Sequence, residues 1–423
     1  MPVPVEGIGR GLGVSLMWAV VYFLSLVLDT VVGIAIAFGW AGPYIAATVY
    51  EALVDWEILE KIQNVTKSNP RALGWRLTKE RHALAITLVG ALEVDAHFVE
   101  FVKEELKQPD TAYRFLKQSC MQLVPFGVHV GVPVMFYVTA SIYSLIDAQA
   151  RFGDNDTAHA IAFGLWYCTI ILVAIMSSMV LSAGAGHIAE AATARCTSPH
   201  KGYRLRWICE RRCELGNWSR KLLSGDDGKY SDVFEQHGTL PSAIVAVLIL
   251  MVPLASAFTI AYLTPEIGVG CRSATVLAYA ISQVLLILLW LPHSSPTLRK
   301  FRDSDNAKGL RWCSLWAISV LYYAVGSISA CVTIAGTVMQ MVGVYRNCLC
   351  KAGLLYGLTT AHHGWDTVEV KLSTDTQADR DQAQYWMVLG GSVVAWLVVL
   401  CTVVGWHRVR MRQRCLALID TLR

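Results

Sequence analysis

Hydrophobic positions in this chain come in long blocks rather than short alternations. Apolar runs cover residues 14–40, 120–146, 158–186, 240–263, 274–291, 313–344 and 385–406, with polar segments between them. A helix rises about 1.5 Å per residue, so about 17–25 apolar residues cross a hydrocarbon layer ~30 Å thick. The pattern predicts an all-α, polytopic membrane bundle of about seven transmembrane helices, forming one membrane domain over residues 1–423. Two stretches read differently. Within 44–63, Glu51, Asp55, Glu57 and Glu60 fall among Ile45, Val49, Leu53, Trp56 and Leu59. Within 73–107 the apolar part runs only from 82 to 94, too short to span. Both are expected to be interfacial amphipathic helices on the cytosolic side.

The turn between the fourth and fifth runs is well marked. Pro265 lacks an N–H and stops a helix, while Gly268 and Gly270 permit a sharp turn before Cys271 and Arg272 re-enter the next run. In the second run, Gly127 and Gly131 have the four-residue spacing that allows close helix approach.

Composition agrees with the pattern. The 423 residues are 54% hydrophobic and 16% charged, against about 25% charged in soluble domains. The net charge of +4 is small and no basic tract points to nucleic acid. The distribution of charge is more informative. Lys and Arg gather after runs one, three, five and seven, including Arg408, Arg410, Arg412 and Arg414 at the end. The positive-inside rule then places the N-terminus outside or lumenal and the C-terminus in the cytosol. That alternation also argues against cleavage of the first run as a signal peptide. Trp40, Trp290, Trp312, Trp386 and Trp406 sit at run ends, where indoles prefer to lie. The expected location is the plasma membrane or a secretory-pathway membrane. Of three sequons, at Asn64, Asn155 and Asn217, only Asn155 falls in an expected outer loop and could carry glycan.

Candidate chemistry is sparse. Cys196, His200, Cys209 and Cys213 share the loop 187–239 and are weak candidates for tetrahedral zinc. Their spacing is not that of a zinc finger, and four reduced side chains without common function is the plainer reading. Asp29 and His129 are ionisable groups inside spans, where such groups are costly and face a cavity or partner. Asp29 is expected to face the bundle interior and pair with a polar side chain, His129 being one candidate. On the outer side, Cys271, Cys348 and Cys350 fall at similar depth, and a disulfide from Cys271 to Cys348 or Cys350 is expected.

The stretches Gly268-Val269-Gly270-Cys271-Arg272-Ser273 and Tyr345-Arg346-Asn347-Cys348-Leu349-Cys350 resemble a family of uncharacterised multi-spanning membrane proteins of filamentous fungi. The resemblance covers spans four to seven. It implies a fungal membrane protein and brings no activity with it.

No histidine boxes, GxSxG, P-loop, HExxH or paired aspartate-rich motifs occur. No catalytic residue and no cofactor is assigned. Three function classes follow, in order: a non-catalytic protein, receptor-like or scaffolding; a transporter of a small apolar molecule; and a membrane enzyme acting on a lipid-like substrate. The expected partners are membrane lipids and proteins docking on cytosolic loops.

Overall fold

A computed structural model describes residues 31–68, 108–121, 125–150, 155–181, 239–263, 270–293, 310–346 and 383–421, with a few positions between 81 and 88. The described residues form helices and turns. In chain order the helices are α1 (Val31–Gly39), α2 (Ala41–Ser68), α3 (Pro109–Met121), α4 (Val132–Gln149), α5 (Asn155–Ser177), α6 (Thr239–Leu263), α7 (Cys271–His293), α8 (Leu310–Val342) and α9 (Tyr385–Thr421). Among the described residues six helices are long and apolar enough to cross a membrane, or seven spans if the bent pair α1–α2 counts as one. The chain is an all-α, integral, multi-pass membrane protein.

The bundle is built around α2, which packs against α5, α6, α7 and α9. The α8 helix lies outside and leans chiefly on α7, while α4 leans on α9 and α5. Outward faces of these peripheral helices are apolar. Phe136 is 73% exposed on α4 and Met341 is 81% exposed on α8, as lipid-facing positions should be. At about 1.5 Å per residue, the 37 residues of α9 exceed the hydrocarbon thickness, so its portion beyond Trp406 projects as an arm.

Residues 44–63 are helical, but they do not lie along the interface as expected. Ile45, Ala46, Ala47, Val54, Ile58, Leu59 and Ile62 are buried, and so are Glu51 and Asp55 on the same side of the helix. The four acidic residues gave the segment its interfacial appearance. Asp55 is accommodated inside because the Leu181 N–H and the Arg408 guanidinium meet it there. The second amphipathic stretch, 73–107, lies mostly outside the described residues; its described positions Arg81, Leu84, Ala85, Thr87 and Leu88 are buried.

The expected close approach at Gly127 and Gly131 is not made. Nothing lies within 4 Å of a Cβ built on Gly127, and the pair falls in a π-helical turn, Gly127–Gly131. Pro133 supplies no N–H to that turn, which favours the wider backbone. Close approach occurs instead where Gly326 on α8 faces Trp40: a Cβ on Gly326 would sit 2.1 Å from the indole.

Candidate functional site

The most unusual local feature is the break between α1 and α2, which meet at 76°. Its cause is Pro43. A continuous helix would pair the Gly39 carbonyl with the N–H of residue 43, and proline has none. The freed groups are met by α7. Gln283 Nε2 donates to Gly39 O at 2.9 Å, and its Oε1 accepts from Gly42 N at 2.7 Å. One side-chain amide thus ends α1 and starts α2. Tyr279 OH donates to Phe38 O at 2.8 Å, and Gln283 Nε2 also donates to Ser329 Oγ on α8 at 2.7 Å. Inside a bilayer, where water cannot supply partners, this satisfaction is what makes the break tolerable.

From the break, hydroxyls climb α8 at four-residue spacing. Thr333 donates to Ser329 O and Thr337 to Thr333 O, while Tyr167 OH and Thr337 Oγ1 are 2.6 Å apart. Further out, Thr275 Oγ1 donates to Cys271 O and pairs with Tyr345 OH at 2.9 Å. Aromatic rings fill the surrounding space: Phe38 meets Trp166 at 5.5 Å and Tyr279 at 5.1 Å between centroids. Edge-on and tilted arrangements of this kind are the favoured ones for ring pairs.

A second feature is a lateral cleft of about 160 Å³ between α4, α5 and α9. Leu145 seats α4 on α9 at Gly390, where a Cβ would come within 2.5 Å of the Leu145 methyl. Phe126, before the π turn, packs on α9 at Gly405. Between these contacts the helices stand apart. Tyr137, Ser141, Ser144, Ala160 and Gly164 line the opening, and Tyr137 OH donates to Gly164 O at 2.7 Å. A Cβ on Gly164 would meet nothing within 4 Å, so this glycine leaves open space.

The third feature is charged and lies where α9 leaves the membrane. Arg408 is buried and its Nη1 donates to Ser178 O at 2.6 Å and Val180 O at 2.8 Å, closing the end of α5. Asp55 Oδ2 accepts from Leu181 N at 3.1 Å. Burial lowers the Arg408 pKa, as does Arg412, and Asp55 opposes both. Trp56 on α2 is covered by α9 side chains: His407 stacks on it at 6.0 Å, Arg410 at 5.4 Å and Arg414 at 3.8 Å. Burial, then Arg414 and Arg410, hold His407 below the usual imidazole range. On the side of the arm facing α3, Cys415 and Cys120 are both buried, and the two thiols influence one another.

Few of the residues singled out from sequence fall at these places. Asp29, Cys196, His200, Cys209, Cys213, Cys348 and Cys350 lie outside the described residues. Among the described residues no group of three His, Cys, Asp or Glu side chains could hold a metal. His129 is exposed on the bundle surface in the π turn, not turned to the interior. Asn155 opens α5. Cys271 opens α7 as expected, partly buried and with a free thiol. Through Thr275, Cys271 at the start of α7 is tied to Tyr345 just after α8. Sequence reasoning passed over Gln283 and Trp56. Gln283 was detectable: it is an uncharged hydrogen-bonding group in the middle of an otherwise apolar run. Pro43, four residues after Gly39, carried the matching signal.

The helices define a multi-pass integral membrane protein whose spans are held by hydroxyl, amide and guanidinium contacts. No family model, curated protein or solved structure matches the chain.

Proposed function

We propose that this is a non-catalytic, receptor-like membrane protein that admits a small apolar ligand from the lipid into the cleft between α4, α5 and α9. The observation that carries this reading is the cleft itself, with open space over Gly164 and hydroxyl-bearing walls. Its volume of about 160 Å³ equals the share of roughly five waters, which suits a compact ligand. Ligand sites combine apolar walls with a few polar groups that orient the ligand, and Tyr137, Ser141 and Ser144 supply that mixture. The plasma membrane or a secretory-pathway membrane is the setting that the alternation of loop charge supports.

The test is photolabelling of the reconstituted protein with a diazirine-bearing medium-chain alcohol. Labelling is expected on α4 and α5 around Tyr137 and Gly164. Gly164→Phe should fill the opening and abolish that labelling while the protein stays folded. Unchanged labelling in Gly164→Phe would overturn the reading.

The broken first span favours a transporter as second reading, since discontinuous helices near the bilayer midplane form many transport sites. Flux of the same alcohol across proteoliposomes, lost in Gln283→Leu but not in Gly164→Phe, would favour it.

A further inference from the structure

We infer that Trp56, His407, Arg410 and Arg414 form a binding site for the phosphate of an anionic lipid headgroup. The site is created by helix spacing. Residues 407, 410 and 414 recur at three- and four-residue intervals and so share one face of α9. That face meets the Trp56 indole on α2. Arg410 also lies over Trp406, with its guanidinium carbon 5.0 Å from that ring's centroid. A guanidinium held over an aromatic ring by cation–π attraction does not use up its N–H groups on that ring, and those are the donors that grip phosphate. The stacking fixes two such groups beside each other before any ligand arrives.

Nothing described on α2 or α9 neutralises them. Neither Arg410 nor Arg414 forms an ion pair with a described carboxylate. Glu57 pairs with Lys61 at 3.8 Å, Asp55 and Glu51 are buried on another face, and Glu60 is exposed beyond ion-pair reach. His407 Nε2 is buried and makes no hydrogen bond to a described residue, so the ring is placed by its stack on Trp56.

Position selects a lipid over a soluble phosphate. Trp406 is 60% exposed and Val403 and Val409 are 54% and 53% exposed, so the site opens sideways beside lipid-facing residues at the end of the span. An indole at that depth marks the headgroup layer, and basic residues there attract anionic lipid.

The experiment uses the full chain in phosphatidylcholine nanodiscs, with and without a few per cent of phosphatidic acid, and reads lipid retained on the protein by native mass spectrometry. Phosphatidic acid should be retained preferentially, and Arg410→Gln/Arg414→Gln should weaken that preference on the order of tenfold. Arg410→Lys/Arg414→Lys keeps the charge but loses the forked guanidinium donors, and should retain less than the native chain. Arg114→Gln removes an exposed cation from α3 and should change nothing. Equal retention in the Gln double variant, or an equal loss in Arg114→Gln, would overturn the site. Glycerol 3-phosphate is added as soluble competitor. Displacement at concentrations comparable to the lipid would overturn the lipid assignment in favour of a free phosphate. Unfolding temperature in detergent, unchanged in all variants, separates these outcomes from misfolding.

Discussion

The break in the first span and the cleft beside α4 both place polar groups inside an apolar bundle, and they treat them in opposite ways. At the break, Gln283 spends its donors and acceptor on the Gly39 carbonyl that Pro43 has orphaned, the Ser329 hydroxyl and the Gly42 N–H, and Phe38, Trp166 and Tyr279 pack around it. At the cleft, Ser141, Ser144 and Tyr137 border open space, and Gly164 has no neighbour over it. The first arrangement holds the fold together. The second leaves room, and room is what a ligand needs. A polar residue in a span is therefore no guide to function until its partners are known.

Substitutions at the two places should separate these roles. The largest effect is expected at Gln283→Leu, which strands Gly39 O, Gly42 N–H and Ser329 Oγ together. A loss of about 2–4 kcal/mol should follow, read as a lowered unfolding midpoint in detergent. A midpoint equal to that of the native protein would mean the break is not held by this amide. Next comes Gly326→Ala, whose new methyl meets the Trp40 indole. Overpacking of this kind costs about 1–3 kcal/mol, and Trp40→Leu in the same chain should recover part of it. By contrast, Gly164→Ala at the cleft should move stability by less than about 0.5 kcal/mol, because the added methyl enters empty space. A large loss there would make the cleft a packing seam and erase the contrast.

The smallest energetic effect concerns the arm of α9. Cys120 and Cys415 lie on the packed helices α3 and α9 and influence one another, so a mild oxidant such as copper–phenanthroline should join them without changing the unfolding midpoint greatly. Cys415→Ser should abolish the resulting mobility shift. Failure to cross-link would place α3 away from the arm. This pair also tests the helical register on which the Arg410–Arg414 face depends, since both lie on one continuous helix.

Block lengths of apolar residues were sufficient to determine the class of fold, because the bilayer sets a length that each span must reach. Residues 240–263 and 274–291 lie within the helices Thr239–Leu263 and Cys271–His293, and the local start of the second is visible at Gly270, whose N–H is met by Ser273 Oγ. Residues 44–63 show where such reading stops. Glu51 and Asp55 looked like interfacial carboxylates, yet they are buried, and what permits this for Asp55 is Arg408 and Leu181, far away in sequence. The same holds for Gln283, whose partners at Gly39 and Gly42 lie more than two hundred residues earlier, and for Trp56, which acquires its arginines only when α9 folds back beside α2. Local sequence governs where a helix begins, ends and enters lipid. Which polar group meets which is settled by the packing of distant helices, because hydrogen bonds and ring stacks act over a few ångströms of space rather than along the chain.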